Sequence, residues 1–283
     1  MKFFILIFKV LLSACLLQGL TAIAATEGQV KTLFENLQIQ QTLTTHYVGV
    51  NHSMIEKITP KQSTQKQELL NNFQAYIDRK LAWSNIGPDL INFYSQILNE
   101  QDIEALNNFL KSPAGKIYKD QYQTTSVVNK LMLDQYGTEL VEGFFANPNK
   151  PLQKVSLTKP SEKQAYELLS VLMCDARKED FDNNQKATVN IIEGSINNKK
   201  QIQNFTDAYS FDQANMRSAK LLAEKIPAEN MKTLLLAVKD KKLESSLKKM
   251  DFANAVVSLY LQEVFLTDDE FKGLIGKSLS LPN

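Results

Sequence analysis

The sequence predicts an all-α protein: two consecutive helical-bundle units, in the register of a diverged duplication, behind a cleaved signal peptide. Three observations carry this reading. Apolar residues recur three and four positions apart through nearly the whole chain. Capping residues and helix breakers stand at the ends of those stretches. No run alternates apolar and polar residues between turn signals, as a half-buried strand would.

Residues 1–24 read as the signal peptide. Lys2 and Lys9 supply a positive start, Val10 to Leu20 an apolar run, and Ala22-Ile23-Ala24 small residues where a signal peptidase inspects the chain. Cleavage after Ala24 leaves a mature chain of 259 residues, the 283 less the first 24. No later run is long and apolar enough to span a bilayer. A second reading places Cys15, in Leu12-Ser13-Ala14-Cys15, at a lipoprotein box and the protein on a membrane. Only Val10 to Ala14 would then form the apolar run before Cys15, which is short for that purpose.

The mature chain next shows helical stripes in order. Leu69, Phe73, Tyr76, Ile77 and Leu81 mark one helix, and Ile103, Leu106 and Leu110 another. A longer one runs through Ile117, Tyr118, Tyr122, Val128, Leu131 and Leu133. Asn99 with Asp102 reads as a cap with an acid in the first turn, and Ser112-Pro113 as a capping serine before a helix-starting proline. Asn147-Pro148-Asn149-Lys150-Pro151, with Pro160 beyond, breaks the pattern and sets a linker at 147–160 between units 25–146 and 161–283. The second unit repeats the stripes in Met231, Leu234, Leu235 and Val238, then in Leu243, Leu247, Met250, Val257, Leu261 and Val264. Ser161 to Gln164 and Thr267 to Glu270 fit capping boxes, and Gly137 and Gly194 read as stops.

The halves align without gaps at an offset of 128. Leu98 to Leu106 then lies over Ile226 to Leu234, Tyr122 over Met250, Val128 over Val256, Leu131 over Leu259 and Leu133 over Leu261. If they descend from one unit, each should hold equivalent helices in the same order. The Ser112 corner reads Asp240-Lys241-Lys242-Leu243-Glu244 in the second half, where its proline and glycine are gone.

Composition excludes some functions. Without Lys2 and Lys9 the balance is 30 basic against 31 acidic residues, and Arg79, Arg177 and Arg217 are the only arginines, so nothing favours nucleic acid. Cys174 is the one cysteine after cleavage and reads as a small core residue on an apolar stripe. His46, His52 and Glu56 offer too few ligands for zinc. The acids Glu179, Asp180 and Asp182, and Asp268, Asp269 and Glu270, read as first-turn or solvated groups. Serines 126, 170 and 258 sit inside helical patterns without a nucleophile elbow. No catalytic residue, cofactor motif or metal site is assigned. Tyr76, Trp83, Phe93, Tyr94, Phe109, Tyr118 and Tyr122 read as the core of the first unit.

The most specific short motif is Ser112-Pro113-Ala114-Gly115-Lys116. It is read either as an anion site at a helix start, with Lys116 beside it, or as a structural corner that Ser112 caps, Pro113 starts and Gly115 lets another helix approach. Together with Phe93 to Lys111 before it, this motif resembles the exported bacterial family catalogued as domain of unknown function 2059, over roughly residues 60–145. In that family's pattern a threonine-like cap opens a helix that ends in an aromatic SP-x-GK corner. Here Asn99 holds the cap and Phe109-Leu110 the aromatic position. The resemblance implies a secreted helical domain and brings no activity with it. The functional expectation is a non-enzymatic interaction module of the bacterial cell envelope, periplasmic or secreted, with an envelope protein or an apolar ligand as partner. The alternatives are a carrier of an apolar small molecule or lipid, and an enzyme. A continuous internal apolar cavity would favour the carrier.

Overall fold

A computed structural model describes residues 24–58, 63–123, 125, 136–137, 139–147 and 152–279. The signal segment with Cys15, the linker residues 148–151, Ser126, and Val128, Leu131 and Leu133 lie outside the described residues. Among the described residues the named helices are α1 (Glu27–Leu37), α2 (Ile39–Ile58), α3 (Thr64–Lys80), α4 (Trp83–Ile97), α5 (Glu100–Lys111), α6 (Pro113–Ile117), α7 (Pro160–Leu172), α8 (Asp175–Ser195), α9 (Lys199–Ala208), α10 (Phe211–Lys225), α11 (Ala228–Ala237), α12 (Lys241–Thr267) and α13 (Asp269–Leu279). A π-helical turn, Tyr118–Gln123, continues α6, and residues 139–146 are helical. Among the described residues there is no strand; Ala24 and Asn99 form an isolated bridge.

Local chemistry explains most boundaries. Thr26 caps α1 and Gln29 completes the box. Asn99 caps α5, and Asp102 answers by accepting from the Asn99 N–H at 3.1 Å. Two of the expected boxes are displaced. At α7 half a box forms, two residues earlier than Ser161 with Gln164: Pro160 takes the first helical position and the Glu162 carboxylate accepts from the N–H groups of Thr158 and Lys159, while the Lys159 side chain has no acceptor to return. At α13 Asp268 caps by accepting from the Phe271 N–H, and the Thr267 hydroxyl donates back to the Glu263 carbonyl at the end of α12. Gly194 is next to last in α8, and Gly137 is itself helical, with its neighbour 138 outside the described residues. Gln38 ends α1 at φ 51°, a left-handed conformation that a side chain strains. Gln38→Gly should therefore stabilise the chain by about 0.5–1 kcal/mol in chemical denaturation.

From the end of α3 to the start of α5 the chain corresponds to its second half at the offset of 128; the earlier helices share only their order. α4, at 83–97, maps onto α10, at 211–225, residue for residue; α3 and α9 end at Lys80 and Ala208, and α5 and α11 begin at Glu100 and Ala228. The five buried positions of α4, Ile86, Gly87, Leu90, Ile91 and Tyr94, map onto Ala214, Asn215, Ser218, Ala219 and Leu222, all buried. The residues closing these helices share a backbone shape: Leu98 at φ −101°, ψ 137° and Ile226 at φ −107°, ψ 121°. Packing follows the same plan. α1 lies on α4 and α5, and α7 on α10 and α11; α2 pairs with α3, and α8 with α9.

The halves are alike in order but not separate in packing. Each sends its last helices into the other. α12 packs on α4 and α5, and α13 on α2 and α3; in return α6 packs on α11, and Phe144 meets Phe205 of α9 at 5.2 Å. Polar contacts repeat the exchange. Asp102 at the start of α5 takes the Lys249 ammonium at 2.7 Å, and Asn230 at the start of α11 donates to Gln121 at 3.0 Å. These are the same pair of positions read from opposite halves. Gln123 and Asp251 correspond as well. Gln123 donates to the Leu37 carbonyl where α1 meets α2, and Asp251 accepts from the Cys174 N–H where α7 meets α8.

One apolar cluster consequently runs through α1–α6 and α7 and α10–α13, crossing the 147–160 boundary. A smaller one joins Leu140 and Phe144 to Ile192, Phe205 and Ala208. The aromatic core expected of the first unit needs the second to complete it. Tyr94 donates to Asn254, Phe93 meets Tyr260 at 5.2 Å, and Tyr76 lies between Phe265 and Phe271 at 6.0 and 5.7 Å.

Candidate functional site: a corner and a cleft

The Ser112 corner joins α5 to α6. The Ser112 hydroxyl accepts from the Gly115 N–H at 3.1 Å and donates to the Phe109 carbonyl at 2.6 Å. The Lys116 N–H is taken by the Ser112 carbonyl at 3.0 Å, and Pro113 has none to give. These bonds consume most of the donors an anion would need, and the side chain of Lys116 is exposed. Gly115 admits no side chain. A Cβ there would lie 1.9 Å from the Phe109 carbonyl oxygen, so the close approach is to the end of its own preceding helix, not to another helix. Ser112→Ala should cost roughly 0.5–2 kcal/mol of stability, and Lys116→Ala little, in urea titrations.

The second-half corner keeps its cap by other means. Asp240, at the position of Ser112, accepts from the Leu243 N–H at 2.8 Å. α11 ends at Ala237, two residues before the position equivalent to Lys111, and Leu243 is accommodated where the first half requires Gly115.

His46 and His52 both lie on α2, and Glu56 gives its carboxylate to Lys66 at 2.7 Å. No group of three metal-binding side chains occurs among the described residues.

A cleft of about 440 Å³ opens in the second half, between α7, α8 and α10. That volume is within the range of small-ligand sites. Tyr166, Met173, Cys174, Phe211 and Asn215 line it, with Asp175, Lys178, Asp182 and Asp212 around them. Lys178 and Asp182 pair at 2.6 Å, one turn apart on α8. Tyr166 donates to Asp212 at 2.5 Å; this bond to a carboxylate, then burial, pushes the phenol up to about 12, so it remains a donor. Asn215 is 7% exposed and lines the cleft wall.

Cys174 meets both the cleft and the core. Its backbone N–H and the Arg177 guanidinium converge on Asp251, at 3.0 and 2.8 Å. Burial, reinforced by the nearby Asp251 charge, pushes the thiol up to about 11. A thiol held protonated is a poor nucleophile. Iodoacetamide should modify Cys174 in the folded protein at neutral pH at least about 100-fold more slowly than a free cysteine.

The element sequence α4, α5, capped corner, crossing tail thus forms the first half of a reciprocal pair. Residues 84–142 match the bacterial family described as an uncharacterized protein conserved in bacteria, domain of unknown function 2059. The matched segment of domain of unknown function 2059 begins one residue into α4 and ends within the helical tail that reaches α9. It is narrower than the 60–145 of the sequence resemblance and contains every residue of the corner. No curated protein and no solved structure matches the chain. No helix of the described residues is long and apolar enough to cross a membrane.

The cleft escaped sequence reasoning. Asn215 lies among Ala214, Ser218 and Ala219, which look like one small-residue helix face. The signal available was the comparison with Gly87 at the offset of 128, and that needs the repeat to be taken as structural.

Proposed function

We propose that this is an exported, non-enzymatic binding module of the bacterial cell envelope, built from two diverged copies of a helical unit and carrying its ligand site in the second. The observation behind this is the cleft between α7, α8 and α10, within the size range of small-ligand sites and lined by Asn215, Tyr166 and Phe211. Around it stand acids, an amide, a protonated thiol and aromatic rings, a set suited to holding a molecule rather than transforming one. That polar lining also differs from the continuous apolar cavity a lipid carrier would present. Export rests on the first 24 residues. Thr26 caps α1 two residues beyond the cleavage point, so cleavage leaves every described helix whole.

The test begins with protein recovered from the periplasm of cells expressing the full chain. Intact mass should place the N-terminus at Ala25; a diacylglycerol-modified Cys15 would move the protein to a membrane surface. Native mass spectrometry should then detect a bound small molecule. The double variant Phe211→Trp, Asn215→Gly, which writes the first-half residues into the second, should lose it. Wild-type protein with no bound compound in any cell extract would overturn the reading.

A further inference from the structure

The two corners have diverged in charge. At the offset of 128 the first half has Glu104, Asn108, Lys111, Pro113 and Ala114 where the second has Lys232, Leu236, Lys239, Lys241 and Lys242. One lysine with one acid is replaced by four lysines around a leucine. Lys232 and Leu236 stand one turn apart on α11. Lys239 lies in the turn that follows, and Lys241 and Lys242 begin α12. All four lysines are exposed, and Leu236 is 59% exposed.

The fold does not account for these residues. α11 buries Met231, Leu234 and Leu235, so Leu236 lies off its core face. Lys248 and Lys249, further along α12, are paired with Glu244 and Asp102 at 2.9 and 2.7 Å. Among the described residues Lys232, Lys239, Lys241 and Lys242 have no such partner. Lys241 and Lys242 also occupy the first turn of a 27-residue helix, the end whose dipole favours acids, so they weaken the helix start. Two acids share the corner. Asp240 accepts from the Leu243 N–H as the cap of α12, and Glu229 is exposed at the start of α11, two turns before Leu236. Four lysines against two acids leave the corner cationic, with an uncovered apolar side chain among the charges.

We propose that the α11–α12 corner docks the protein on an anionic phospholipid surface, its ammonium groups against headgroup phosphates and Leu236 in the acyl boundary. Charge complementarity selects an anionic partner. Leu236 selects a bilayer, because a dissolved polyanion offers an apolar side chain no cover from water. The corner is separate from the cleft and does not depend on it. The test is co-sedimentation of the full mature chain with vesicles of phosphatidylcholine, alone or with about 40% phosphatidylglycerol. At low salt the anionic vesicles should bind at least about tenfold more tightly than the neutral ones, and about 0.5 M sodium chloride should remove most of that difference. Lys241→Gln, Lys242→Gln should weaken binding at least about tenfold, and Leu236→Ser about threefold with the salt dependence kept. Lys111→Gln, Lys116→Gln takes the same charge from the exposed lysines of the first corner and should change binding less than about twofold. All these positions are exposed, and unchanged helical circular dichroism verifies that each variant is folded. Equal binding to both kinds of vesicle, binding to neither, or equal loss from the two lysine pairs overturns the proposal. Binding of soluble polyphosphate that Leu236→Ser leaves intact, with vesicles ignored, also overturns it and makes the corner a polyanion site.

Discussion

Gly115→Ala should be among the most damaging single substitutions in the chain, costing about 3 kcal/mol or more and reducing soluble yield. The added methyl would sit 1.9 Å from the Phe109 carbonyl oxygen and 2.5 Å from the Leu110 Cα. Both are backbone atoms, so no side chain can turn aside. The carbonyl is also fixed from the other side, where it accepts from both the hydroxyl and the N–H of Ser112. The corner must open, and with it the angle at which the first half sends its tail across. Gly143→Ala is the control. Nothing lies within 4 Å of a Cβ there, and the residue is helical, so about 0.5–1 kcal/mol should be gained. A fall in urea midpoint for Gly143→Ala as large as for Gly115→Ala would discredit the steric account.

Asp102→Ala should cost about 2–3 kcal/mol, more than an exposed cap is worth. Asp102 is 6% exposed and serves two purposes at once. It closes the capping box of α5 through the Asn99 N–H, and it ties α5 to α12 through the Ser246 hydroxyl at 2.9 Å and the Lys249 ammonium. Lys249 is 40% exposed, so solvent weakens the ion pair and most of the loss comes from the buried hydrogen bonds. Asn230→Ala removes the corresponding contact in the other half. It should cost about 1 kcal/mol or less, because Asn230 is half-buried and its partner Gln121 is neutral. Equilibrium urea unfolding of both variants measures the difference; equal effects would mean that Asp102 acts as a cap alone.

Helical class, the Asn99 and Ser112 caps and the offset of 128 were legible in the sequence because each is local or periodic. An apolar stripe three and four residues apart needs cover, whatever provides it. What provides it is the part that periodicity leaves open. The stripe of Leu243, Leu247 and Met250 is equally well formed whether α12 lies on its own half or on α4 and α5. The exchange becomes visible only in pairs such as Asp102 with Lys249, which are 147 residues apart. The same limit explains the corner. A glycine in a turn suggests a neighbouring helix, but the atom that excludes its side chain belongs to Phe109, six residues earlier. In the second corner the missing proline and glycine concealed a cap that Asp240 preserves. Cys174 read as a core residue, and it is buried, yet it also borders the cleft, because the helix it begins forms one wall.

The exchange of tails between the halves is the foundation of this account, and splitting the chain tests it. Residues 25–147 and 152–283, produced as separate polypeptides, each lack the helices that cover their apolar faces. Circular dichroism and size-exclusion chromatography should find each fragment alone poorly folded or aggregated, and the two refolded together as a 1:1 complex that unfolds in one transition, as the intact chain does. Two fragments that each fold cooperatively as monomers, and show no affinity for one another, would contradict it.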